Sequence, residues 1–151
     1  MSFEELAMQM QDNYQSKVEH LQRMLQNTNK QADLIEKDEI GALVDTLDER
    51  QRIMDGVDVL DGRLDKFYQE LLTDYPQKEE DIHQVVQPYI EQIETLIKDI
   101  KTLDDTNRLK TQNKLAEYGQ EIKQVRDTNK GVDTYTNPYQ SADGLFFDTK
   151  K

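Results

Sequence analysis

The sequence has no cysteine and no tryptophan, and only 6 glycines, 3 prolines and 2 histidines among 151 residues. Without cysteine there is no disulfide framework, no thiol redox chemistry and no cysteine-based metal site. Few glycines and prolines leave little turn chemistry for a sheet, and no two glycines stand within five positions, so a Gly-rich phosphate loop is missing as well. His20 and His83 stand alone, outside any His-Glu-x-x-His pattern, and read as surface or boundary residues. A nucleophile with an adjacent base cannot be assembled from what remains. The expectation is a protein that is not an enzyme and carries no cofactor.

Long apolar runs are also missing. None approaches the roughly 20 residues of a membrane span, and Met1-Ser-Phe-Glu-Glu5 has neither the basic region nor the apolar stretch of a secretory signal. A cytoplasmic protein without membrane insertion is expected. The net charge of -12 opposes nucleic acid and anionic lipid alike. Its distribution is uneven: residues 1–100 carry 23 acidic against 10 basic side chains, whereas residues 101–130 carry 7 basic against 5 acidic. Those charges read first as solvated helix faces, with the mildly basic stretch as a surface for an acidic partner.

What the chain does have is helical periodicity. With 35% of residues hydrophobic and 33% charged, it suits elongated helices better than a thick globule. Apolar residues recur three or four apart at Phe3, Leu6, Ala7, Met10, Tyr14, Val18, Leu21, Leu25, Ala32 and Ile35. Ser2 and Glu5 have the spacing of a capping box at the start of this helix. A second series, Ile40, Leu43, Leu47, Met54, Val57, Leu60, Leu64, Phe67 and Leu71, ends at the breaker Asp74-Tyr75-Pro76, with Lys37-Asp38-Glu39 and Gly41 as the turn before it. Gly56 and Gly62 within that series mark close packing or a bend. Lys78 to Gln87 reads as a short helix, and Pro88 then sits either at the first turn of a new helix, the favoured reading, or at a kink in a continuous one. That final helix carries Tyr89, Ile93, Leu96, Ile97, Ile100 and Leu103, a polar gap at Asp104-Asp105-Thr106-Asn107-Arg108, then Leu109, Leu115, Tyr118, Ile122 and Val125, and fades at Gly131.

The fold class that follows is all-α: an elongated antiparallel bundle of three long helices, with a fourth short one, and an irregular C-terminal tail. The helical bundle domain takes residues 1–131 and the tail 132–151. Asp55, Asp58, Asp61 and Asp65 line one helical face; a calcium loop needs oxygens two apart in non-helical backbone, so they read as a solvated acidic face. Tyr135, Tyr139, Phe146 and Phe147 lie in a Pro/Gly-punctuated tail that a helical body does not need in order to fold. Such a tail points to recognition.

Four stretches carry a resemblance. Leu47-Asp48-Glu49-Arg50-Gln51-Arg52-Ile53, Ile100-Lys101-Thr102-Leu103-Asp104-Asp105-Thr106-Asn107, Ile122-Lys123-Gln124-Val125 and the ending from Tyr135 to Phe146-Phe147-Asp148-Thr149-Lys150-Lys151 resemble the flagellar type III export chaperones of the FliT and FlgN type. Asn107 and Asn113 are six apart, not at the Asn-x-x-Asn spacing of FlgN, and the subtype stays open. The resemblance implies a cytoplasmic chaperone for flagellum biogenesis. It would bind the C-terminal helical segment of a filament-cap or hook–filament junction protein, prevent premature assembly, and deliver the cargo to the export gate or ATPase. Ile93, Ile97, Ile100, Leu115, Tyr118, Ile122 and Val125 are the candidates for the partner-binding groove, with intramolecular core as their other reading. Tyr135, Tyr139, Phe146 and Phe147 then serve as a lid over the groove or as the contact to the export gate. The competing reading is a self-associating coiled-coil scaffold, including a homodimer.

Overall fold

The computed structural model describes residues 1–128, and over them the chain is three long helices: α1, Phe3–Glu36; α2, Ile40–Asp74; and α3, Glu79–Thr128. A single 3-10 turn, Pro76–Lys78, separates α2 from α3. At 1.5 Å per residue α1 and α2 each run about 50 Å and α3 about 75 Å. No strand occurs among the described residues.

Local chemistry sets the ends of these helices. Ser2 caps α1, its hydroxyl accepting from the Glu5 amide at 3.1 Å while the Glu5 carboxylate accepts from the Ser2 amide at 3.0 Å. At its other end α1 closes in a Schellman arrangement: the Glu39 amide donates to the Leu34 carbonyl and the Asp38 amide to the Ile35 carbonyl. Asp38 holds the left-handed position at φ 56. That conformation costs a non-glycine residue about 1 kcal/mol, and Asp38 offsets it by accepting hydrogen bonds from α3. Pro76 stops α2, as Asp74-Tyr75-Pro76 predicts.

Two expectations are corrected. The short helix over Lys78 to Gln87 and the restart at Pro88 do not form, because α3 is continuous from Glu79 and Pro88 lies inside it. The proline removes one backbone donor, yet Ile82 and Val86 before it and Ile93 and Ile100 after it are all buried against the same bundle, which holds one helical phase across the defect. Of the two glycines, only Gly56 marks close packing. A Cβ there would meet His20 Nε2 at 2.5 Å, whereas nothing lies within 4 Å of one on Gly62.

The packing is centred on α1. It lies along both α2 and α3, whereas the α2 and α3 backbones do not approach each other comparably. The core is built in layers along its length. Next to the α2–α3 turn, Leu6, Met10, Leu71, Ile82 and Val86 form one cluster. Val18, Leu21, Met24, Ile53, Ile93 and Ile100 form the next. At the α1–α2 end, Leu34, Ile35 and Leu43 form a third, to which α3 contributes nothing. Boundary 131 and the tail lie outside the described residues.

Candidate functional site

Between the second and third apolar layers the core turns polar. Asn27, Thr28 and Gln31 of α1, Thr46 and Arg50 of α2, and Asp104, Asn107 and Thr111 of α3 are all buried. Arg50 is the hub. Its Nη2 donates to Asp104 Oδ2 at 2.5 Å, and its Nη1 donates to Thr28 Oγ1 at 3.0 Å and Gln31 Oε1 at 3.3 Å. Gln31 Nε2 donates to Thr46 Oγ1 at 3.0 Å, and Asn27 Nδ2 donates to the Thr46 carbonyl at 3.0 Å. Asn107 Nδ2 donates to the Thr28 carbonyl at 3.0 Å, which ties α3 to the α1 backbone. Burial lowers the guanidinium pKa of Arg50, and Asp104 works against that shift. The amide oxygens of Asn27 and Asn107 are buried without a hydrogen-bond partner.

Nearer the α1–α2 turn the contacts of α3 are ionic. Lys110 Nζ lies 2.7 Å from Glu36 Oε1, Lys114 Nζ donates to Asp38 Oδ1 at 2.6 Å, and the Tyr118 hydroxyl donates to the same oxygen at 2.9 Å. Hydrogen bonding by Lys114, then by Tyr118, lowers the Asp38 pKa; Lys110 lowers that of Glu36. Beyond this corner α3 runs on to Thr128, about 15 Å past Tyr118.

The expected groove residues divide. Ile93 and Ile100 are core, at 7% and 0% exposure, and Ile97 packs half-buried against them. Leu115, Tyr118 and Ile122 are half-buried and Val125 is 48% exposed. Helical spacing puts these four on the same stripe as buried Ile100 and Asn107, so the core face of α3 continues past the bundle that covers it. Tyr135, Tyr139, Phe146 and Phe147 lie outside the described residues.

Other exposed apolar residues were not singled out by the sequence. Ile40 and Val44, one turn apart at the start of α2, are 56% and 53% exposed beside the turn that α3 passes. Ile40 stands in the apolar series, and Val44 lies four residues after it and three before Leu47, so helical spacing alone carries no signal that the pair is exposed. Among the acidic residues of α2, Asp61 pairs with Lys17 at 2.6 Å. No group of three potential ligands among the described residues is arranged to hold a metal. Gln22, Pro88, Glu91, Gln92, Thr95 and Leu96 line an open depression of about 400 Å³ between α1 and α3, without titratable clustering.

No protein-family profile matches the chain, and neither the curated proteins nor the solved structures compared with it return a match. Among the described residues, no helix is long and apolar enough to cross a membrane.

Proposed function

We propose that this chain is a flagellar export chaperone of the FliT/FlgN type. In this reading it is a cytoplasmic, non-catalytic protein that binds the C-terminal helical segment of a filament-cap or hook–filament junction protein and delivers it to the export gate or ATPase. The observation that supports the reading is the apolar stripe of α3, which continues through Tyr118, Ile122 and Val125 past the end of α1 and the start of α2. A partner helix laid along that stripe, with Ile40 and Val44 beside it, buries surface that the chain itself leaves half exposed. Arg50, Asp104 and Asn107, from two of the stretches that carry the family resemblance, meet in the polar layer just below. The tail residues Tyr135, Tyr139, Phe146 and Phe147 are assigned to the lid or to the gate contact. Cofactors and nucleic acid have no part in it.

Co-expression with each filament-cap and hook-associated protein of the host tests the proposal. A soluble stoichiometric complex is expected with one of them, weakened at least about tenfold by Ile122→Asp with Val125→Asp, a loss of about 1.4 kcal/mol. The helical content of the free double variant should not change. Absence of a complex with every such substrate refutes the reading. A self-associating scaffold, which the exposed pair Ile40 and Val44 would also serve, requires a homo-oligomer, and light scattering that shows a monomer at all concentrations removes it.

A further inference from the structure

The buried residues of α3 change character at one point. Up to Ile100 they are apolar: Ile82, Val86, Ile93 and Ile100. Beyond it they are Asp104, Asn107 and Thr111, and the contacts that follow are those of Lys110, Lys114 and Tyr118 with Glu36 and Asp38. The Leu34, Ile35 and Leu43 cluster at this end includes no residue of α3. The last part of the helix is therefore held by polar contacts, and water replaces polar contacts at small net cost, whereas it cannot replace apolar burial.

We propose that residues 101–128 form an arm closed on the bundle by a polar latch at Arg50 and Asp104, and that it opens as one unit while α3 up to Ile100 stays packed. Three features favour opening at this place. The Arg50–Asp104 pair is fully desolvated when closed, so opening returns two charges to water. The Asn107 and Asn27 amide oxygens, buried without partners, gain hydrogen bonds when water enters. The α2 and α3 backbones do not pack closely on each other, so the latch joins them here through side chains. Opening exposes the polar layer between α1 and α3, beside the two-helix cluster of Leu34, Ile35 and Leu43 and the exposed Ile40 and Val44. The opening itself rests on these contacts alone; its use in admitting a partner helix rests on the function proposed above.

Hydrogen exchange of the full chain, without any partner, tests the opening independently of that function. Amides of residues 101–118 are expected to exchange at least about tenfold faster than those of residues 82–97, as a block with one common rate. Asp104→Asn should speed the block about tenfold further and leave residues 82–97 unchanged. Arg50→Leu with Asp104→Leu, which removes the buried ion pair, should slow it about tenfold; this variant keeps the test readable if Asp104→Asn alone fails to fold. Two results overturn the proposal. One is exchange of residues 82–97 and 101–118 at a single rate that the variants shift together. The other is a smooth gradient from the C-terminus, untouched by either variant, which would mean ordinary fraying.

Discussion

Substituting Gly56 by alanine sets two effects of known size against each other. In an open helix interior the change is favourable by about 1 kcal/mol, because glycine loses more backbone freedom on folding. Gly62, in the same helix and with nothing within 4 Å of an added Cβ, supplies that reference. At Gly56 the new carbon would lie 2.5 Å from His20 Nε2 and 2.7 Å from its Cδ2, so the ring must retreat by about 1 Å to reach ordinary contact. The ring is not free to do so. His20 Nδ1 is hydrogen-bonded to the Ser16 carbonyl at 2.8 Å. Losing that bond costs about 1 kcal/mol and an off-rotamer ring up to about 1.5 more. Gly56→Ala should then destabilise by about 1 kcal/mol net and lower Tm by about 2–4 °C, whereas Gly62→Ala should raise it by a similar amount. In a His20→Ala background Gly56→Ala should become stabilising, since the obstructing ring is gone. Thermal unfolding followed by circular dichroism reads all four variants. If Gly56→Ala raises Tm as Gly62→Ala does, the close approach of α1 to α2 at this point is wrong.

Other consequences follow from the layering of the core. Leu6→Ala and Ile100→Ala, both at fully buried sites, should cost about 2–5 kcal/mol in urea denaturation, while Val44→Ala stays within about 0.5 kcal/mol. Arg50→Leu alone should destabilise by leaving Asp104 buried without its guanidinium. Adding Asp104→Leu should restore or exceed the original stability, and a double variant weaker than the single one refutes this account of the layer. The folded-state pKa values of Asp38 and Glu36 are depressed below their ordinary 3.8 and 4.5, so their contribution is present above those values and disappears as pH falls through the folded ones. Amide exchange around Lys110 and Tyr118 should therefore accelerate below about pH 4 relative to the intrinsic rate; equal protection at pH 3 and pH 7 would contradict the assignment.

Much of the fold was legible because burial follows helical spacing where the buried residues are apolar. Leu6, Met10, Val18, Leu21 and Ile35 in α1 and Leu43, Leu60, Leu64 and Leu71 in α2 all stand in the apolar series, and the Ser2 and Glu5 capping box forms as its spacing indicates. The polar layer was not legible in the same way, since hydrophobic periodicity treats Asn27, Gln31, Arg50 and Asn107 as interruptions. Its trace was nevertheless present. The α1 series has a gap between Leu25 and Ala32, the α2 series one between Leu47 and Met54, and α3 the polar stretch from Asp104 to Arg108. Folding α2 back on α1 at the Asp38 turn brings the first two to the same height, and parallel packing of α3 on α1 adds the third. Pro88 misled for a related reason: a local rule that favours a helix start lost to burial of Val86 and Ile93 on either side.

This layering divides the labour along the bundle. Beside the α2–α3 turn, two apolar clusters draw on all three helices, and aromatic contacts such as Phe3 with Tyr75 at 5.8 Å and Tyr14 with Tyr89 at 6.4 Å add to them. That end can hold the three helices together whether or not the opposite end is closed, because its burial does not depend on residues beyond Ile100. The opposite end combines a small apolar cluster of two helices, a charged layer whose partners water can replace, and a helix that outruns its neighbours. A bundle whose only task was stability would gain from leucine at Arg50, Asp104 and Asn107, with no orphaned amide oxygen to bury. In the reading proposed above, polar groups at these three positions hold α3 in one register while leaving its end exchangeable, so that a partner helix can be accepted and later released.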